Sequence, residues 1–185
     1  MDRHEQRIVQ FLSQPSSYPH PVGAIERRET HVSHVFLAGA FAYKLKKPVK
    51  FPFLDASILS RRKRFCRLEL SLNRRLAPQT YLRMVPVTES GGALHLGGTG
   101  KTVEWVVKMR RLPETRMLDR LIAARRVSRD DITAVADRLI PFFRRAARSR
   151  TIDRYGTPAQ TPRSRRCWAA RSCRCSRTAD RHARR

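Results

Sequence analysis

The chain has 185 residues, with 40 Lys and Arg against 15 Asp and Glu, giving a formal charge of +25 at neutral pH. That length suits one domain, and a hydrophobic content of 41%, well spread along the sequence, excludes wholesale disorder. The longest apolar run, the nine residues Val35 to Tyr43, falls far short of the ~20 needed to cross a bilayer, and the charged start leads into no secretory signal; the cytosol is the expected compartment, with no membrane partner.

Taken in chain order, residues 4–13 place Ile8, Phe11 and Leu12 at helical spacing before Pro15, Pro19 and Pro21 stop the helix. Ala24 to Glu29 and Val32 to Leu37 read as strands, and Ala38-Gly39-Ala40 turns into a third strand, Phe41 to Lys47, ended by Pro48. Alternation in the third strand puts Phe41, Tyr43 and Leu45 on a core face and Ala42, Lys44 and Lys46 on a cationic one. Asp55-Ala56-Ser57 offers N-caps for a long helix, Ile58 to Leu76, whose apolar stripe is Ile58, Phe65, Leu68, Leu72 and Leu76. Tyr81 to Val87 and Thr102 to Met109 then read as a hairpin joined by a Gly-rich loop, Ser90 to Gly100.

Beyond Pro113 the spacing predicts helices over Met117 to Ala124 and Arg129 to Ala147, the second capped by Ser128 and kinked at Pro141. Helices therefore follow the strands instead of alternating with them, which predicts an α+β fold with a five-stranded antiparallel sheet and one long helix. From Thr161 to Arg185 there are nine Arg, one Asp and three of the four Cys, with no aliphatic side chain beyond Ala, so this stretch carries +8 and the remainder +17. Such a segment cannot offset the roughly 1–2 kcal/mol per residue that backbone ordering costs, and a disordered Arg/Cys-rich tail is expected over 151–185. Cys167, Cys173 and Cys175 lack the spacing and the fourth ligand of a zinc site, so no metal is expected there.

Gly97-Gly98-Thr99-Gly100-Lys101-Thr102 imitates the end of a phosphate-binding P-loop. The first Gly of that pattern would fall on His95, and the β-branched and aromatic residues Val103 to Val107 form a strand where the motif needs a helix N-terminus; a hairpin loop is the reading adopted. His31 and His34 have no third ligand at useful spacing and read as core or surface residues, while Cys66 reads as a small packing residue.

Glu69 is the informative residue, because it shares the stripe of Phe65, Leu72 and Leu76, where a carboxylate is costly unless paired. Its available cations are Lys44 and Lys46 on the third strand; the alternative partners are Arg62 or the stem of Arg74 on its own helix. A strand lysine held by a helix glutamate is how protein-kinase-like enzymes position nucleotide phosphates. Ala42-Tyr43-Lys44 fits the strand pattern in which a small residue lets adenine lie close, and Met109 to Leu112 would follow as the hinge.

Glu29-Thr30-His31-Val32-Ser33, Val35 to Gly39, Ala42-Tyr43-Lys44-Leu45-Lys46-Lys47-Pro48-Val49, Phe53-Leu54-Asp55, Glu69-Leu70, Leu72 to Pro78 and Val107-Lys108-Met109-Arg110-Arg111 occur in that order. Over residues 18–158 the chain resembles the N-terminal portion of aminoglycoside-phosphotransferase-like proteins, in the bacterial branch where this kinase-like domain precedes a P-loop ATP-binding domain. The resemblance implies a kinase-like N-lobe over 1–113, the hinge-following helices of an incomplete C-lobe over 114–150, and the tail over 151–185. It also implies ATP-dependent phosphoryl transfer to a small-molecule hydroxyl, with Lys44 on the phosphates, Lys46 its rival, Glu69 the helix partner, and Ala42, Met109, Arg110 and Arg111 around adenine. Thr30, His31 and Ser33 would cover the phosphates, without the Gly-rich sequence of protein kinases.

That family carries a His-Gly-Asp loop and a later Asp for magnesium, whereas this sequence has no such loop and, after Asp137, only Asp153 and Asp180. The expectation is a truncated or frameshifted phosphotransferase, altered near codon 160, that lacks catalytic and metal residues and exposes apolar surface such as Phe142 and Phe143. The competing expectation is a non-specific nucleic-acid-binding protein acting through Arg61-Arg62-Lys63-Arg64 and the basic tail, with Trp168 the single aromatic residue of Thr161 to Arg185 for stacking.

Overall fold

A computed structural model describes residues 2–154. The predicted tail from 155 onward, with Cys167, Trp168, Cys173, Cys175 and the segment 155–158, lies outside them. The first of two compact units, Met1–Phe142, holds every strand; in the second, beginning at Phe143, the described elements are the end of one helix and a short helical turn.

Helix α1 (Arg3–Leu12) starts at Asp2, whose carboxylate accepts from the Glu5 N–H at 2.7 Å, an N-cap that satisfies one of the helix's free donors. Its Ile8, Val9 and Leu12 are buried, each contributing roughly 1.5–3 kcal/mol of apolar transfer. They pack with Tyr18, Phe36, Ala38, Tyr43, Leu45, Val85, Val87 and Val106 as one core on one side of the sheet. The Tyr18 hydroxyl donates to the Leu12 carbonyl at 2.5 Å, which caps the end of α1 and lets a phenol be buried.

The main sheet is antiparallel throughout, with strands β1 (Ile25–Glu29), β2 (Ser33–Ala38), β3 (Phe41–Lys46), β6 (Tyr81–Ser90), β7 (Ala93–Leu96) and β8 (Lys101–Arg110) in the order β1-β2-β3-β8-β6-β7. A two-stranded ribbon, β4 (Lys50–Phe51) and β5 (Leu54–Asp55), leads into helix α2 (Leu59–Arg74), which packs on β8 and β6. After β8 come a 3-10 turn (Glu114–Arg116) and helices α3 (Leu118–Ala123), α4 (Arg129–Arg144) and α5 (Arg150–Asp153). No helix of the described residues is long and apolar enough to cross a membrane.

The α+β class stands, with four differences in detail. The sheet has six strands and not five, because Ala93–Leu96, expected within a loop, pairs with Val87 to Ser90. Gly91 and Gly92, at φ 56° and 79°, make the turn that β-branched residues could not, and so hide a strand inside a Gly-rich stretch. Helix α2 carries no side-chain cap: Asp55 instead accepts from the Ser57 N–H and hydroxyl and pairs with Arg61, which holds its carboxyl well below the usual carboxylate range.

The predicted stripe of α2 is not its buried face. Arg62 and Cys66 are buried and Glu69 nearly so, while Ile58, Leu68 and Leu72 are exposed. The helix is rotated so that residues able to pair with the sheet's charges face it, and the aliphatic row is left to one side. Finally, the expected tail begins at 151, yet residues 151–153 belong to α5, whose Ser149 hydroxyl accepts from the Ile152 N–H. Helix α4 runs through Pro141, which has no N–H to donate, and neither α3 nor α4 buries a residue.

Candidate functional site

Strand β3 is one of the two central strands of the sheet, paired with β2 on one side and β8 on the other. Its alternation works as the sequence implies: Tyr43 and Leu45 enter the core under α1, whereas Lys44 and Lys46 point to the opposite face, beneath α2. There the Glu69 carboxylate bridges both lysines, accepting from Lys44 Nζ at 2.7 Å through Oε1 and from Lys46 Nζ through Oε2. Neither alternative partner is used, since Arg62 pairs with Glu104 and Arg74 donates to the Tyr81 and Leu82 carbonyls.

Burial works to raise the Glu69 carboxyl, but the hydrogen bonds and charges of Lys44 and Lys46 outweigh it and hold the group below its ordinary value. Two ammonium groups against one carboxylate leave one positive charge over. The Lys44 side chain, 25% exposed against 14% for Lys46, is the one more open to solvent. An anion entering here meets Lys44 first, with Glu69 and Lys46 fixing its direction.

Ala42 is buried and pairs with Met109 of β8, so the end of β8 runs directly beside the strand that carries Lys44. The Arg110 N–H donates to the Thr80 carbonyl at 2.8 Å and the Arg111 N–H to the Ala40 carbonyl at 2.9 Å, so both amides are engaged in holding the segment to the sheet. Gly39, Ala40 and residues 111–114 line a shallow depression at this end of β3. At its other end, Ser33 pairs with Lys46, and Thr30 to Ser33 form a tight turn in which the Ser33 N–H donates to the Thr30 hydroxyl at 3.0 Å. His31 is exposed on that turn, and Ser33 is buried. The structure therefore brings Lys44, Lys46 and Glu69 into contact, with Ala42, Met109, Arg110 and Arg111 at one end of β3 and Thr30, His31 and Ser33 at the other.

Sequence reasoning missed Arg62–Glu104, which ties the start of α2 to β8 with Nε 2.8 Å from Oε2; 42 residues separate the two, and no local spacing signals the pair. His34, read as a core or surface residue, is buried, and its partner, Glu5 of α1 at 3.0 Å from Nε2, is one that the sequence does not signal. The Gly97–Lys101 stretch is the hairpin connection expected, with Gly97 and Gly98 at φ 95° and 83° and Lys101 opening β8.

No family model matches the chain, and no solved structure matches it. Uncharacterized proteins of Mycobacterium bovis and of two strains of Mycobacterium tuberculosis are each 39% identical to it over 133 residues, covering 71% of this chain and 25% of the relative. The chain spans about a quarter of the length of the curated relatives it matches.

Proposed function

We propose that this chain is a nucleotide-binding lobe of the protein-kinase-like, aminoglycoside-phosphotransferase type, with ATP as its ligand. The observation that carries the reading is the Glu69 carboxylate shared by Lys44 and Lys46 across the α2–β3 junction. A strand lysine aimed by a helix carboxylate is the device such enzymes use for phosphate oxygens. The neighbouring placement of β3 and β8 supports it, because adenine held near Met109 to Arg111 would leave the phosphates directed along β3 toward Lys44.

Magnesium does not fit the residues present. Among the described residues no three His, Cys, Asp or Glu side chains gather to hold a metal, and Glu69 is committed to its lysines. The sequence also carries no His-Gly-Asp loop to orient an acceptor hydroxyl. The reading is thus binding without turnover by this chain alone.

A fluorescent ATP analogue titrated into the full chain tests it. Binding that falls about tenfold or more in Lys44→Met and Glu69→Gln supports the reading, since a charge-assisted phosphate contact contributes on that scale. Binding that is absent, or indifferent to both substitutions, overturns it. Phosphate transfer abolished by Lys44→Met would overturn only the statement that the chain is inactive.

A further inference from the structure

The outer side of α2 has no role in the nucleotide reading. Ile58, Leu68 and Leu72 are 51%, 42% and 57% exposed, large fractions for aliphatic side chains. Leu68, Leu72 and the half-buried Phe65 fall within an arc of about 60° on the helix, with Ile58 just ahead of the first turn. From Ile58 to Leu72 the row spans about 21 Å, the length of roughly four helical turns. Arg64 borders the row one turn ahead of Leu68, and Arg67 lies beyond it; both are exposed, and neither forms an ion pair among the described residues. The other cations of this helix are engaged: Arg61 on Asp55, Arg62 on Glu104, Lys63 over the Trp105 ring, and Arg74 on two carbonyls.

We infer that this face is a docking surface for an acidic amphipathic helix of a partner protein. A straight aliphatic row alongside a helix is what a second helix packs against, and its leucine or isoleucine side chains would cover Leu68 and Leu72. Acidic residues flanking that row in the partner would meet Arg64 and Arg67, and the strongly positive chain would speed encounter with a negative segment. A nucleic acid would use the guanidinium groups but gain nothing from the aliphatic row, which presents no exposed ring for a base.

The test uses the full chain and a synthetic helical peptide with leucines on one face and glutamates beside them, at ionic strength high enough to screen loose association. Leu68→Ser/Leu72→Ser should weaken binding about tenfold or more, as should Arg64→Glu/Arg67→Glu, with the urea midpoint lowered only slightly because Arg64, Arg67 and Leu72 are exposed and Leu68 is partly so. A control peptide with serines for leucines should bind at least about tenfold more weakly. Equal binding of both peptides overturns the inference, leaving charge alone. A larger loss toward phosphatidylserine vesicles or a single-stranded oligonucleotide than toward the leucine peptide also overturns it, assigning the face to a membrane or to nucleic acid.

Discussion

Arg62 Nε lies 2.8 Å from Glu104 Oε2, with both side chains almost wholly buried, and Arg62 also donates to the Ala56 and Ser57 carbonyls at 3.0 Å. This pair, and not an apolar stripe, anchors the start of α2 to the sheet. Removing either partner strands the other charge in a dry environment. Arg62→Ala and Glu104→Ala should each cost about 3–5 kcal/mol, whereas Arg62→Met/Glu104→Leu together should cost much less than the sum. Urea unfolding of the double-mutant cycle reads this directly, and additive losses would contradict it.

Glu69 gives the fold an acid limb. Its carboxyl is held below its ordinary value by Lys44 and Lys46, so the stabilisation is fully present above the unfolded value and is lost as pH falls through the lowered folded value. Glu69→Gln should cost about 1–3 kcal/mol near neutral pH, discounted for the partial exposure of Lys44, and should flatten the decline of stability below about pH 4. Urea midpoints of both proteins between neutral and acid pH check the sign.

Cys66 is fully buried, and burial pushes its thiol up to about 12. Alkylation at mildly alkaline pH should therefore leave Cys66 unmodified in the folded chain and modify it once urea unfolds the protein. Mass spectrometry of the peptide containing Cys66 separates it from the cysteines nearer the C-terminus.

A Cβ at Gly100 would lie 2.5 Å from the Glu89 carbonyl oxygen and 3.3 Å from the Ser90 Cβ. Gly100→Ala should destabilise by about 1–3 kcal/mol, as overpacking against backbone does, while leaving any nucleotide affinity unchanged. Thermal unfolding and the ATP-analogue titration measure the two effects. A P-loop role for this glycine would instead show as lost binding.

The sequence made Glu69 legible because a carboxylate among helix-spaced apolar residues demands a cation, and a strand lysine pair was the nearest supply. It made β3 legible because Tyr43 and Leu45 alternate with lysines. The rotation of α2 was not legible: Ile58, Leu68 and Leu72 have the spacing of a buried stripe, and only the distant Glu104 and the paired lysines decide otherwise. Strand β7 was hidden between two glycine pairs, and the ribbon β4–β5 is too short for any periodicity. Of the side chains expected to be exposed, Phe143 is exposed and Phe142 is half covered, with the Arg75 guanidinium 4.5 Å from its ring centroid; the exposure of Ile132, Val135 and Ile140 on α4 was not legible from their stripe-like spacing.

The strand between β3 and β6 is β8, the last strand in chain order, and its Val106 and Val107 are fully buried. During synthesis on the ribosome, β1-β2-β3 and β6-β7 are two separate pieces of sheet until Arg110 has left the exit tunnel, because nothing earlier in the chain can take the place between them. The lysine strand consequently waits for its neighbour while the 64 residues from Lys47 to Arg110 are added, and the site and the sheet are completed in the same step.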